Sequence, residues 1–190
     1  YEEFPDKFQM CGGSHISASK NDLHNSKFNT AVIGEGEIPL ERILKNPILL
    51  RYHNIITGIP VNDLDTIPFP ARHLIDWSGY KRGIMLGKEL ISKAVSMISS
   101  RGCAYNCIFC SSHCVFGRRV RFRSIENVIE EIKHVIDTLG YYGFNFHDDT
   151  FCFDSKRTFN LCKEFSKLDI VWRCLTRADT VDRDLLHIMR

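Results

Sequence analysis

From residue 93 to its end the chain alternates between short apolar runs and amphipathic stretches, a pattern that few folds accept. Residues 94–99 read as a buried strand. After a cysteine-rich loop, Ile125, Val128, Ile129, Ile132, Val135, Ile136 and Leu139 recur at helical spacing, with Ser124 placed as N-cap and Gly140 as the stop. Residues 143–149 read as a second strand, followed by a helix opening at Asp154. Residues 170–177 form a third strand, and Asp182 opens a third helix. Such alternation needs crossover connections, so an α/β fold with a parallel sheet is expected, open or barrel-shaped. In sheets of this kind the loops after the strands emerge at the carboxyl edge, where ligands bind. The cysteine loop follows the first strand, Asp148 and Asp149 end the second, and Thr176, Arg177 and Asp179 follow the third.

The loop itself, "RGCAYNCIFCSSHC", carries Cys103, Cys107, Cys110 and Cys114. Thiolates bind zinc and iron–sulfur clusters. Zinc expects two separated pairs, although His113 could act as a fourth ligand here. One compact knot suits a cluster better, because a short loop can wrap irons that lie close together. Packed or reactive thiols are the third reading. Four thiols would close the site, whereas three would leave one metal position for a substrate. The other cysteines, Cys11, Cys152, Cys162 and Cys174, are scattered in apolar segments. That distribution is unlike a secreted disulfide scaffold and points to a reducing cytoplasm, with Cys152, Cys162 and Cys174 in the core.

Composition narrows the classes further. The chain has 190 residues, 44% hydrophobic and 25% charged, which is ordinary for a soluble globular protein. A net charge of +2 asks for neither nucleic acid nor an anionic membrane as partner. No apolar run approaches the roughly 18–20 residues needed to span a bilayer. The start at Tyr1 and the stop inside a helical pattern lead us to expect missing parts at both ends. Residues 1–50 hold "QMCGGSH", a strand at 30–33, a glycine turn and a helix from about Pro39. Residues 51–92 are irregular and carry Pro60, Pro68 and Pro70, as expected of a linker. Residues 93–190 form the third zone.

The C-x3-C-x2-C spacing of "CAYNCIFC", with an aromatic before the last cysteine, resembles the radical S-adenosylmethionine superfamily. That resemblance implies a 4Fe-4S cluster on Cys103, Cys107 and Cys110, with the fourth iron chelated by S-adenosylmethionine and a 5′-deoxyadenosyl radical as its product. Cys114 lies beyond the pattern. Longer segments, "MISSRGCAYNCIFCSS", "RRVRFRSIENVIEEI", "FNFHDDTFCFD" and "VWRCLTRADTVDRDLLHIMR", resemble the cobalamin-binding branch of that superfamily, as do "CGGSH", "VIGEGE" and "DLDTIPFPAR". The resemblance makes residues 1–50 the end of a Rossmann-like cobalamin-binding domain, 51–92 the linker, and 93–190 the N-terminal half of the family's partial (β/α) barrel.

The same resemblance sets Phe109 near the adenine, Asp148 and Asp149 at the methionyl amino group, and Arg177 near cofactor or substrate. Gly12 and Gly13 correspond to a glycine pair beside the cobalamin tail, and Arg121 and Arg123 to a basic pair. "DLHNSK" imitates a cobalt-ligand motif but lacks its glycine, so His24 is read as a solvated histidine. Plainer roles stand beside these: Asp148 and Asp149 as turn caps, Arg177 paired with Asp179 or Asp182, Phe109 as core. The expected activity is cobalamin-dependent methyl transfer to an unactivated carbon, or ring formation or rearrangement. It would need a small-molecule or peptide substrate and an electron donor such as flavodoxin or ferredoxin. One rival is a radical methylthiotransferase, which needs a second three-cysteine cluster that Cys11 alone does not provide. The other is a non-catalytic zinc or closed-cluster module on the four loop cysteines or His113.

Overall fold

The computed structural model describes residues 7–48, 55–79, 84–86, 89–91 and 93–190. The chain divides into two units, Tyr1–Asn62 with Gly102–Val120, and Asp63–Arg101 with Arg121–Arg190.

The first unit contains β1 (Met10–Cys11), α1 (Ser14–Ala18), β2 (Thr30–Ile33), α2 (Glu37–Lys45), β3 (Ile55–Thr57) and the short α3 (His113–Phe116). Its sheet is parallel with β2 in the middle, pairing Cys11 with Ala31 on one side and Ala31 with Ile55 on the other. A central parallel strand is covered on both faces, which is why Thr30, Ala31 and Val32 are all buried rather than alternating. Ile16, Leu23 and Ala31 form the small core, with Cys11 and Ile55 against it. Helix α2 starts two residues before Pro39, because a first-turn proline lacks only an N–H that the helix leaves unpaired anyway. β3 lies in the stretch expected to be irregular. Three β-branched residues suffice for a strand there, but they are too few to show a period.

The second unit carries a hairpin of β4 (Ile84–Leu86) and β5 (Glu89–Ile91), then β6 (Ala94–Met97), β7 (Ser100–Arg101), β8 (Arg121–Phe122), α4 (Ile125–Leu139), β9 (Gly143–Phe146), α5 (Ser155–Phe165), β10 (Val171–Cys174) and α6 (Arg183–Met189). Strands β10, β9 and β6 form a parallel sheet in that order, with Ser96, Asn145 and Arg173 in one row. The chain is thus mixed α/β with parallel sheets, as expected.

Side-chain caps fix the helix starts. Ser124 accepts from the Asn127 N–H at 3.1 Å, and Asp154 and Asp182 accept from the N–H groups of Arg157 and Leu185 at 2.8 Å. Gly140 ends α4 in the left-handed region, at φ 62°, where a side chain would be strained. The apolar stripe of α4 buries Val128, Ile132 and Val135 completely against Val95, Met97, Phe144 and Phe146 of the sheet. Each such side chain stabilises the unit by about 1.5–3 kcal/mol. The opposite face of the sheet is polar. Ser96 Oγ hydrogen-bonds His147 Nε2 at 3.2 Å, and Arg173 Nε donates to Asn145 Oδ1 at 2.6 Å.

β6 is an edge strand of its sheet, and two arginines cap its carbonyls. Arg123 Nη1 donates to Ile98 O at 3.0 Å and Arg72 Nη2 to Ser96 O at 3.4 Å. The same two nitrogens grip the carboxylate of Glu131 on α4, each at 2.5 Å. All three residues are nearly inaccessible, with side-chain exposures of 7% for Arg72, 11% for Arg123 and 3% for Glu131. Such contacts cover an edge that would otherwise offer unpaired groups to another chain.

Candidate functional site

Strand β6 ends two residues earlier than expected, because the chain turns at Ser99 into a second pairing. Ser100 and Arg101 form an antiparallel ladder with Phe122 and Arg121, and the cysteine loop is the excursion that this ladder closes at its base. Gly102 is the first residue of the loop and has φ 92°. A Cβ there would stand 2.4 Å from the backbone oxygen of Arg119, so only glycine fits.

Inside the loop, the Cys103 N–H donates to Gly117 O at 3.3 Å and the Cys110 N–H to Cys107 O at 3.1 Å. Arg118 ties the loop across its width. Its two terminal nitrogens reach Tyr105 O and Asn106 Oδ1, both at 2.8 Å. None of the cysteines is in a disulfide. Cys103 and Cys107 are half-buried and Cys110 is exposed, with its sulfur 3.1 Å from Ser112 Oγ. Cys114 sits apart on α3, with its sulfur 3.7 Å from His113 Nε2. Two large apolar side chains stand in the open here, Ile108 and Phe109, the latter 89% exposed rather than in a core.

Among the described residues no group of three or more His, Cys, Asp or Glu side chains is gathered in a position to hold a metal ion. Ligands of a cluster each bind a different iron, so they need not meet at one point as zinc ligands do. Three soft thiols on one short, hydrogen-bonded loop are a donor set that fits an iron–sulfur cluster.

The acidic pair at the end of β9 divides into two unlike residues. Asp148 is 1% exposed. Its Oδ1 accepts from the Ser99 N–H at 2.7 Å, and its Oδ2 accepts from the hydroxyls of Ser99 and Ser100 at 2.6 Å each. Burial pushes its carboxyl above the usual range, against the three hydrogen bonds and the Arg157 guanidinium, which favour the anion. Asp148 thus fastens the end of β9 to the residues from which the cysteine loop departs. Asp149 is half-buried, and its Oδ2 is buried with no hydrogen-bond partner.

Arg177 is paired with Asp179, donating from Nε at 2.8 Å and from Nη2 at 2.6 Å, and it holds that exposed carboxyl below its usual range. Gly12 and Gly13 follow β1. A Cβ on Gly12 would touch Val32 O at 3.4 Å, whereas Gly13, at φ 92°, faces open space. Arg121 is buried in the ladder, and Arg123 belongs to the Glu131 cluster. His24 is exposed.

Cys152 lies in the second core with Cys174 packed against it, and Cys162 is buried on α5, as expected. A hydrogen bond with Cys174 pulls the buried Cys152 thiol down to about 7, while burial pushes Cys162 up to about 12.

Sequence reasoning missed Arg118, Ser99, Ser100 and Arg157. Arg157 donates to Ser99 O at 3.1 Å and to Arg123 O at 3.0 Å. No motif marks these residues, because each acts through backbone groups whose position depends on the fold. Arg118→Ala removes two exposed charge-assisted hydrogen bonds, together about 1–1.5 kcal/mol of loop order. The expected result is a roughly tenfold faster loss of bound iron to a chelator, with the melting temperature almost unchanged. An unchanged rate would remove Arg118 from the site.

No protein-family profile matches the chain. It is 29% identical over 203 residues to an uncharacterized methyltransferase of Pyrococcus horikoshii, covering 96% of this chain and 42% of that protein. It is 30% identical over 146 residues to the hopanoid C-3 methylase of Methylococcus capsulatus, covering 69% of this chain and 27% of that one. The chain therefore spans less than half the length of these relatives. Among solved structures it resembles the radical S-adenosylmethionine methyltransferase TsrM of Kitasatospora setae, with tryptophan substrate and an S-adenosylmethionine analogue bound. The TM-score is 0.55 at 21% identity, over 83% of this chain and 32% of that one. The likeness is one of fold.

Proposed function

We propose that this chain, a member of the radical S-adenosylmethionine superfamily, is part of a methyltransferase that holds a 4Fe-4S cluster on Cys103, Cys107 and Cys110. Sequence similarity to methyltransferases along 96% of its length supports this reading. The observation that carries it is the ladder-closed loop after the first parallel strand, with three cysteines outside any disulfide on it and Cys114 set apart on its own helix. When bound, such a cluster supplies one-electron reduction of the S-adenosylmethionine sulfonium.

The chain's own residues would do the positioning. Arg118 and the β7–β8 ladder hold the loop in shape, and Asp148 anchors the strand end from which it leaves. Of the two acids, Asp149 is the one assigned to the methionyl amino group, because its buried Oδ2 lacks a donor while every acceptor bond of Asp148 is internal. Phe109 offers an exposed ring for the adenine, and Arg177 borders the same strand ends. Residues 93–190 are assigned to the first half of a partial barrel and 1–50 to the end of a cobalamin-binding domain. Gly12 and Gly13 would leave backbone open to the cobalamin tail in the full-length protein. The reaction is methyl transfer to a carbon of a small-molecule substrate, with a flavodoxin- or ferredoxin-type donor in the cytoplasm. No described helix is long and apolar enough to cross a membrane.

The test is anaerobic reconstitution with iron and sulfide, followed by electron paramagnetic resonance of the reduced protein. The signal is expected to change when S-adenosylmethionine is added. Single alanine variants of Cys103, Cys107 or Cys110 should lose it, and Cys114→Ala should keep it. A signal indifferent to S-adenosylmethionine would remove the open iron. Loss of the cluster in Cys114→Ala, or stoichiometric binding of zinc alone, would favour the closed module.

A further inference from the structure

Within the second unit, a cavity of about 390 Å³ lies beside β6 and the proline-rich stretch that ends at Arg72. Its size falls within the roughly 300–1,000 Å³ typical of small-molecule pockets. Apolar side chains, among them Ile67, Phe69 and Met97, form most of the wall, Arg72, Arg123 and Glu131 form a charged end, and Arg101 also lines the cavity. His147, hydrogen-bonded to Ser96, adds a polar group.

The charges at that end do not balance. Arg72 and Arg123 bring two guanidinium charges to the single carboxylate of Glu131, which leaves one positive charge over. The side chains of Arg72, Arg123 and Glu131 are only 7%, 11% and 3% exposed, so water screens the excess poorly. One guanidinium nitrogen, Arg72 Nη1, is buried without any partner. Capping the carbonyls of β6 explains why arginines are there. It does not explain why two of them face one acid beside an open apolar volume. Had the role been structural alone, a second acid or a leucine would fill the space at lower electrostatic cost.

We propose that this cavity binds a small monocarboxylate with an apolar body, its carboxylate toward the Arg72–Glu131–Arg123 cluster and its body against the proline-rich wall. At the Arg72–Glu131–Arg123 end one surplus positive charge matches one negative charge, and Arg101, elsewhere in the lining, has a partner of its own. A phosphate monoester, near −2 at neutral pH, would bring one negative charge more than that end offsets. The cavity's lining contains none of the cysteines, so it can be tested on the purified iron-free chain, and its failure would say nothing about the thiols.

The experiment titrates the full chain with hexanoate, hexan-1-ol and hexyl phosphate, read by calorimetry and by amide shifts of Ser96, Met97 and Ile98. Hexanoate is expected to saturate one site, at least about tenfold more tightly than the alcohol of equal length. Ile67→Trp fills the apolar wall without touching the charged residues, and it should abolish binding while circular dichroism stays native. Equal binding of the alcohol would reduce the cavity to an apolar void, and tighter binding of hexyl phosphate would overturn the monoanion. Unchanged binding in the folded Ile67→Trp chain, or no saturable binding of hexanoate at all, would overturn the site.

Discussion

Glu131→Ala is expected to destabilise the second unit by about 3–5 kcal/mol, because it strands two buried guanidiniums. In the native protein each oxygen of Glu131 holds one arginine at 2.5 Å. Without the acid they repel each other inside a wall that excludes water. They must then either leave the edge of β6, which exposes the carbonyls of Ser96 and Ile98, or stay charged and unpaired. A domain's whole stability is about 5–15 kcal/mol, so a loss of this size unfolds much of the population near physiological temperature. Urea denaturation of the variant and the wild type measures it. Adding Arg72→Met and Arg123→Leu to Glu131→Ala removes the stranded charges and should recover much of the loss, since apolar replacement of a buried ionic cluster is often neutral or better. A shift below about 1 kcal/mol in Glu131→Ala, as for an exposed pair, would show that the cluster is solvated.

The second large effect falls on the cysteine loop and spares the cores. Gly102→Ala puts a side chain at φ 92° and a Cβ 2.4 Å from the Arg119 oxygen and 3.1 Å from its carbon. The left-handed backbone alone costs an L-residue roughly 1–2 kcal/mol. The clash is with backbone, so no rotamer change relieves it, and the loop must open where Gly102 leaves the β7–β8 ladder. Cys103 is the next residue, and its N–H bond to Gly117 O crosses the same neck. Iron retained after anaerobic reconstitution should fall from ~4 per chain, as in a 4Fe-4S cluster, to near background. Far-ultraviolet circular dichroism should barely change, because the strands and helices of both cores lie outside this turn. Full iron loading in Gly102→Ala would show that the thiols assemble a cluster without a closed loop.

These two residues mark the boundary between what pattern reveals and what it hides. Helices α4, α5 and α6 open at Ser124, Asp154 and Asp182 as read from residue order, and α4 stops at Gly140. Caps, stops and apolar stripes are local: they depend on residues three or four positions apart, so the order of residues contains them. The thiol spacing of the loop is local in the same sense. Glu131 shows the limit. It occupies a position on α4 that pattern would assign to solvent, yet its side chain is buried, because Arg72, 59 residues earlier, folds across to meet it.

The acidic pair makes the same point at the site. Asp148 and Asp149 are adjacent and chemically identical, so residue order cannot rank them. In the fold one accepts three hydrogen bonds from Ser99 and Ser100, 49 and 48 residues away, and the other keeps a buried oxygen without a donor among the described residues. Arg177 likewise carried two readings, and its guanidinium is bonded to Asp179.

By itself the sequence determined the α/β alternation, the parallel sheet, the starts of α4, α5 and α6 and the spacing of Cys103, Cys107 and Cys110, all of which follow from short-range periodicity and backbone chemistry. Only the tertiary structure decided that the cysteine loop is closed by a ladder beginning at Ser100, that Arg118 braces it, and that Asp148 is an anchor. It also decided that two arginines share Glu131 beside a cavity. Each of these depends on groups brought together across tens of residues, where burial and unpaired hydrogen-bonding atoms fix a residue's role and residue order does not.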